Sequence, residues 1–434
     1  MGVWPVFIDA ALAAMLLLTG QLLRSKITLL QKLSLPSAII GGFIGLSLGP
    51  NGADLLPFSP DYAKYPGILI GLIFASLPFA STEGKTNGKQ VYEMFSYSSA
   101  ILFLQWAGGL LLTILVLQQI WPNLHTGFGS LIAVGFVGGH GTAAAIGNVF
   151  ADFGWDDATS LAMTSATIGI LSAITGGILW IKWAVKTGHA SYVQSFDNLS
   201  IQAKTGLIGK AQQKASVTET TISSVIDSFT FHLAIILVIL GLGYGVYTIN
   251  KLYLPSLVVP LFCNCFILAY LAKHFFAKLN ITQYIDKPTM AKFGGSLTDF
   301  LIIFGISSIK ITLIIQYAIP LLILFVTGII ICVTCFYFFG PRSFDKYWFE
   351  KSLFTWGWVT GVSAMAIALY RIIDSKNNSG VLGQFAIAYL FILFFELALV
   401  AFAPTIITAG YGLYLGLATL AAAILLLTLK QGKK

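Results

Sequence analysis

Gly138-Gly139-His140-Gly141-Thr142-Ala143-Ala144-Ala145-Ile146-Gly147 interrupts an otherwise apolar part of the chain. Three glycines around an imidazole and a hydroxyl make a poor lipid-facing helix, because glycine weakens the helix and leaves backbone groups open. Interrupted backbone at membrane depth persists only where it is buried in protein or lines a watery cavity. The stretch is therefore a candidate binding site. Close helix packing through small residues is the competing reading; His140 and Thr142 tip the balance toward a site.

Outward from this stretch, the composition sets the class. Of 434 residues, 57% are hydrophobic and 10% charged, and the mean hydropathy of +0.85 lies far outside the range of soluble domains. Apolar runs long enough for a helix to cross a bilayer recur along the chain, continuous rather than alternating, so an all-α polytopic membrane protein is expected and a barrel is not. The first run, residues 3–23, has no basic residue before it and reads as a retained helix. The net charge of +8 comes from basic residues gathered in particular loops, the pattern of membrane orientation and not of a nucleic-acid face. Cys263, Cys265, Cys332 and Cys335 lie in apolar runs without histidine or acidic co-ligands and read as small core residues.

Spanning helices are expected at residues 4–23, 36–49, 66–81, 94–120 and 158–185, and again at 229–249, 255–276, 294–309, 312–339, 381–403 and 406–429. Two small-residue segments, at about 129–156 and 351–379, read as re-entrant hairpins. The polar stretch 187–228 reads as an extramembrane, cytoplasmic linker. The chain therefore divides into a first repeat (1–186), the linker, a second repeat (229–404) and an extra C-terminal helix with a basic tail (405–434), for which a peripheral place is open. With both segments as hairpins, the N-terminus is outside, the C-terminus inside, and 22 of the 25 basic residues face the inner side. Only Lys64, Lys251 and Lys310 fall outside. A single full crossing by either segment would degrade that imbalance; two full crossings would preserve it.

The halves resemble each other. Lys32-Leu33-Ser34-Leu35-Pro36-Ser37 matches Lys251-Leu252-Tyr253-Leu254-Pro255-Ser256 at five of six positions, at an offset of 219. Gly141, Ala144 and Phe150 fall near Gly361, Ala364 and Tyr370 at almost the same offset. With five crossings per half, the second copy must be inverted. Inverted repeats with broken segments meeting near the midplane are the pattern of secondary transporters.

At such breaks, free amides at a helix start favour an anionic group and free carbonyls at a helix end suit a small cation. The first half offers Gly139, His140, Gly141 and Thr142, with Thr164, Ser165 and Thr167 on the next helix; the second offers Thr360, Gly361, Ser363 and Gln384. For any single mid-helix hydroxyl, a bond back to the preceding turn is the plainer reading. The carboxylate of Glu396, deep in an apolar run, suits sodium, a proton or a basic partner, whereas Asp299 is expected near a helix start, where capping competes. Thr142, Ser363 and Glu396 are the candidate sodium ligands. No nucleophile with its base, phosphate loop or acid pair points to an enzyme.

The Gly138 to Thr142 run resembles the first hairpin of the bacterial sodium/glutamate symporter family, as do the Pro36 helix with Gly41 and Gly42, the Thr164 to Gly177 helix and the central linker. The resemblance implies sodium-coupled uptake of glutamate or a related small anionic carboxylate across the inner membrane, Na+ as coupling ion with no organic cofactor, two inverted five-helix repeats, and a homodimer with an elevator-like motion. The second segment departs from the family run: Gly361 is followed by Val362-Ser363-Ala364-Met365-Ala366, and Glu396 stands where the family has an aspartate. A cation/proton antiporter or a transporter of another organic anion is the alternative.

Overall fold

The structure is a computed structural model that describes residues 4–32, 35–80, 87–189, 202, 205–210, 213, 217–253, 259, 261–374 and 378–428. Among the described residues the regular elements are helices and no strand occurs. The longer ones are α1 (Trp4–Lys26), α2 (Ser37–Leu48), α3 (Tyr65–Ala80), α4 (Gly88–Leu112), α5 (Leu131–Phe136), α6 (Gly139–Asp152), α7 (Ala158–Thr187), α8 (Ser228–Tyr253), α9 (Leu261–Lys278), α10 (Lys287–Ser307), α11 (Ala318–Thr334), α12 (Trp348–Ile373), α13 (Val381–Ile406) and α14 (Gly412–Thr428). Nine helical stretches among the described residues are long and apolar enough to cross a membrane. One of them, Val381–Thr428, has 48 residues and would extend about 70 Å if straight, some twice the hydrocarbon thickness. Gly410, at φ +90°, turns the chain there and separates α13 from α14.

Two helix starts differ from expectation because polar caps lie upstream of the apolar runs. Asn87 accepts the Lys89 amide at 3.0 Å and starts α4 six residues early, which brings Glu93 inside a helix. Asp286 accepts the Thr289 amide at 2.9 Å, with Pro288 in the first turn. Asp299 therefore lies well along α10, exposed, and is no cap. Residues 190–201, 203–204, 211–212 and 214–216 of the linker, and residues 33–34 and 254–256 of the matched hexapeptides, lie outside the described residues.

The helices form two compact units, each drawing on both halves of the sequence. The first unit holds most of α1 with α2, α3, α8, α9 and α10. Leu16, Ala38, Phe58, Tyr62, Ile303 and Phe304 make one of its cores, and Ala75, Phe79, Ile236, Cys265 and Met290 belong to another. Buried Asp9 in α1, a carboxylate that sequence reasoning passed over, accepts from Ser59 N and Tyr65 Oη, each at 2.8 Å. It thereby fixes the α2–α3 connection. His232 accepts the Asp286 amide at 2.7 Å through Nε2.

The second unit holds α4 to α7 and α11 to α14. α4 is its central post. Its backbone at Gly109 approaches Gly129 so closely that a Cβ on either would come within 2.2 Å of the other's carbonyl oxygen; only glycine permits that approach. The C-terminal helix is not peripheral: α14 runs along α4, with Gly416 against Leu111 and Ser96 Oγ donating to Leu426 O at 2.7 Å. Small residues at both contacts let two apolar helices pack closely.

Candidate functional site

The site is built around two breaks, both within the second unit. At the first, α5 ends at Phe136 and α6 begins at Gly139, whose φ of +62° is accessible to glycine at little cost. At the second, α12 is interrupted at Gly361 (φ −149°, ψ 31°) and Val362 (φ 63°, ψ 171°). Val362 occupies a region that is essentially glycine-only, at a cost of about 1–3 kcal/mol that the surroundings must hold in place. The holding contact is visible. A Cβ at Gly139 would lie 2.2 Å from Val362 Cγ1, so the side chain of the second break packs on the bare backbone of the first.

α7 forms the wall common to both. Toward the first break, Ser165 Oγ donates to Leu131 O at 2.6 Å and His140 Nε2 lies 3.1 Å from Thr167 Oγ1. Thr167 donates to Met163 O at 2.9 Å, which leaves it to accept from an Nε2-protonated His140. Toward the second, the Thr360 carbonyl faces Gly169, Gly361 packs on Ile170 and Ala173, and Trp356 Nε1 donates to Ala173 O at 3.2 Å.

Of the residues singled out by sequence, Gly139, His140, Gly141, Thr142, Ser165, Thr167, Thr360, Gly361 and Ser363 fall on the breaks or on the α7 wall beside them. Thr142 is buried and packs on Gly138, and Ser363 is half-buried. Thr164 and Thr360 return their hydroxyls to the preceding turn, to Ser160 O at 2.9 Å and Trp356 O at 2.6 Å. Gln384 lies apart, at the foot of the second arm of α12, donating to Gln90 Oε1 at 3.0 Å and Ser379 O at 3.1 Å. Glu396, half-buried on α13, accepts from Tyr389 Oη at 3.3 Å. Tyr389 in turn meets Trp358, near the end of the first arm of α12, with ring centroids 6.0 Å apart. Glu396 is thus linked through two aromatic rings to the first arm of α12.

Sequence reasoning missed the polar ladder that ties the first arm of α12 to α4. Lys351 and Glu93, both essentially without exposed surface, pair at 3.1 Å. Thr355 Oγ1 meets Ser98 Oγ at 3.3 Å, and the Val359 carbonyl accepts from Gln105 Nε2 at 2.8 Å. The usable signal is the four-residue spacing of Lys351 and Thr355 on one helical face; sidedness counting alone groups Lys351 with the inner basic residues.

Residues 6–344 match the family described as sodium/glutamate symporter. A sodium/glutamate symporter of Haemophilus influenzae is 28% identical over 176 residues, 39% of this chain and 41% of that relative. The aligned part thus spans less than half of the relative's length. The family match stops at Phe344, before α12 begins, so the second break, Gln384 and Glu396 lie beyond it.

Proposed function

We propose, for a chain that belongs to the sodium/glutamate symporter family and is a transporter and no enzyme, that it takes up glutamate or a related carboxylate with sodium by alternating access. The contact of Gly139 with Val362 beside α7 is the observation that supports this most. α6 starts at that contact with open amides, which favour a carboxylate; the first arm of α12 ends there with open carbonyls, which favour a small cation. Thr142 and Ser363 are offered as further oxygen ligands. Glu396 is offered as an ion site reached from the second break.

In this reading the two segments are re-entrant hairpins of inverted five-helix repeats. The second unit, which carries both, is the moving one in a homodimer of the inner membrane. Sodium couples to uptake by raising the population of substrate-competent states. Because the family match ends before α12, another organic anion is the second reading for the substrate.

Purified protein in vesicles decides between them. An inward sodium gradient should drive labelled glutamate in, and unlabelled aspartate and glutamate should compete. Uptake indifferent to sodium, or insensitive to acidic amino acids, would remove the glutamate assignment.

A further inference from the structure

Gln105, in α4, has no exposed surface. Its amide nitrogen donates to Val359 O at 2.8 Å and to Cys332 Sγ at 3.1 Å, so both of its hydrogens are engaged. The Val359 carbonyl also fixes which end of the amide is nitrogen, since an oxygen there would face another oxygen. Oε1, on the same planar group, is buried and meets no donor among the described residues. A buried acceptor left unanswered is costly, so a group from outside the polypeptide is called for.

The position says what kind of group. Val359 precedes Gly361 by two residues, so the Gln105 amide sits at the C-terminal end of the first arm of α12, where the break takes helical partners from the last carbonyls. That end carries the negative pole of the arm. Lys351, on the same arm, is two turns back and already paired with Glu93. Acceptors gathered at a negative helix end suit a small cation and repel an anion.

We infer that Gln105 Oε1 is a ligand of a small monovalent cation at the end of the first arm of α12, a site that draws on α4 as well as on the broken helix. The proposed function enters only in naming sodium as the cation to try. The test uses no glutamate. Purified full-length protein is unfolded thermally while NaCl replaces choline chloride at constant ionic strength, because an ion that binds the folded state raises the midpoint.

The unmodified protein should show a sodium-specific rise. Gln105→Leu should weaken apparent sodium affinity by about tenfold or more, the loss of one ligand to a charged group. Gln105→Glu keeps an acceptor but loses both donors, and should bind sodium as well or better. An unmodified protein indifferent to sodium overturns the inference. So does an unchanged affinity in Gln105→Leu, which leaves the oxygen to water, or equal weakening in both variants, which reduces Gln105 to a strut for Val359. Should Gln105→Leu fail to fold, Gln105→Glu decides alone: retained or tighter affinity supports the site, and weaker affinity overturns it. Failure of the glutamate assignment looks different, as uptake without acidic competition while the sodium response persists.

Discussion

Val362 holds a backbone conformation that β-branched residues avoid, and it does so against the one residue whose lack of a side chain makes room for it. Strain of this kind persists where neighbours over-determine it, and it clusters at binding sites. Gly139→Ala puts a methyl on Val362 Cγ1 and forces alanine to φ +62°. Overpacking and left-handed backbone together should cost about 2–4 kcal/mol, seen as a lower thermal midpoint and at least a tenfold fall in uptake. Val362→Gly removes both the side chain and the strain, so the double variant should recover part of the midpoint lost by Gly139→Ala. Equal midpoints for Gly139→Ala with and without Val362→Gly would mean that the two breaks are not held by this contact. Both breaks were legible in the sequence, because glycine at membrane depth needs a reason. Gln105 was not, because a glutamine in an apolar helix shows its importance only through what lies opposite.

The elements were legible where an apolar run sets the boundary and illegible where a polar cap does. Asn87 and Asp286 moved two starts upstream, and with the first of them Glu93 passed from a loop into the interior. Its pairing with Lys351 anchors the first arm of α12. Taking one charge from a buried pair is far worse than taking both. Lys351→Met should destabilise by about 3–5 kcal/mol, and Lys351→Met with Glu93→Gln should restore most of that, measured as thermal midpoints of the purified proteins. A double variant no better than the single would show that the arm depends on the lysine's packing and not on its charge. At the other face of α4, α14 covers Ser96 and Leu111. A chain ended at Ile406 should therefore lose its monodisperse elution in detergent. Retention of the normal profile would return α14 to the peripheral role that its place outside the repeat suggested.

At the scale of the whole molecule, the two units cut across the two halves of the sequence. No local signal marks that division, because periodicity reports which residues share a helix face and not which distant helix that face meets. Of the charges counted for sidedness, one changes place. Lys351 is buried and drops out of the tally, while two of the three lysines expected outside lie near acids, Lys64 at 2.6 Å from Asp61 and Lys310 at 4.0 Å from Asp157. Sidedness alone admits either a dip or two crossings for each broken segment, and element length separates them. α6 has 14 residues, about 21 Å, and neither arm of α12 is longer, against a core of about 30 Å. Each segment should then enter and leave on one face. The four native cysteines are buried, so the background for thiol labelling is low. Cysteines placed at the exposed positions Asn123 and Asp156, on either side of the first break, should both react with an impermeant maleimide added outside cells. Cysteines placed at Lys346 and Asn378, exposed on either side of α12, should both react only after the membrane is opened. One reactive and one protected member in either pair would make that segment a single crossing, reverse everything downstream of it, and remove the inverted repeat on which a shared binding space depends.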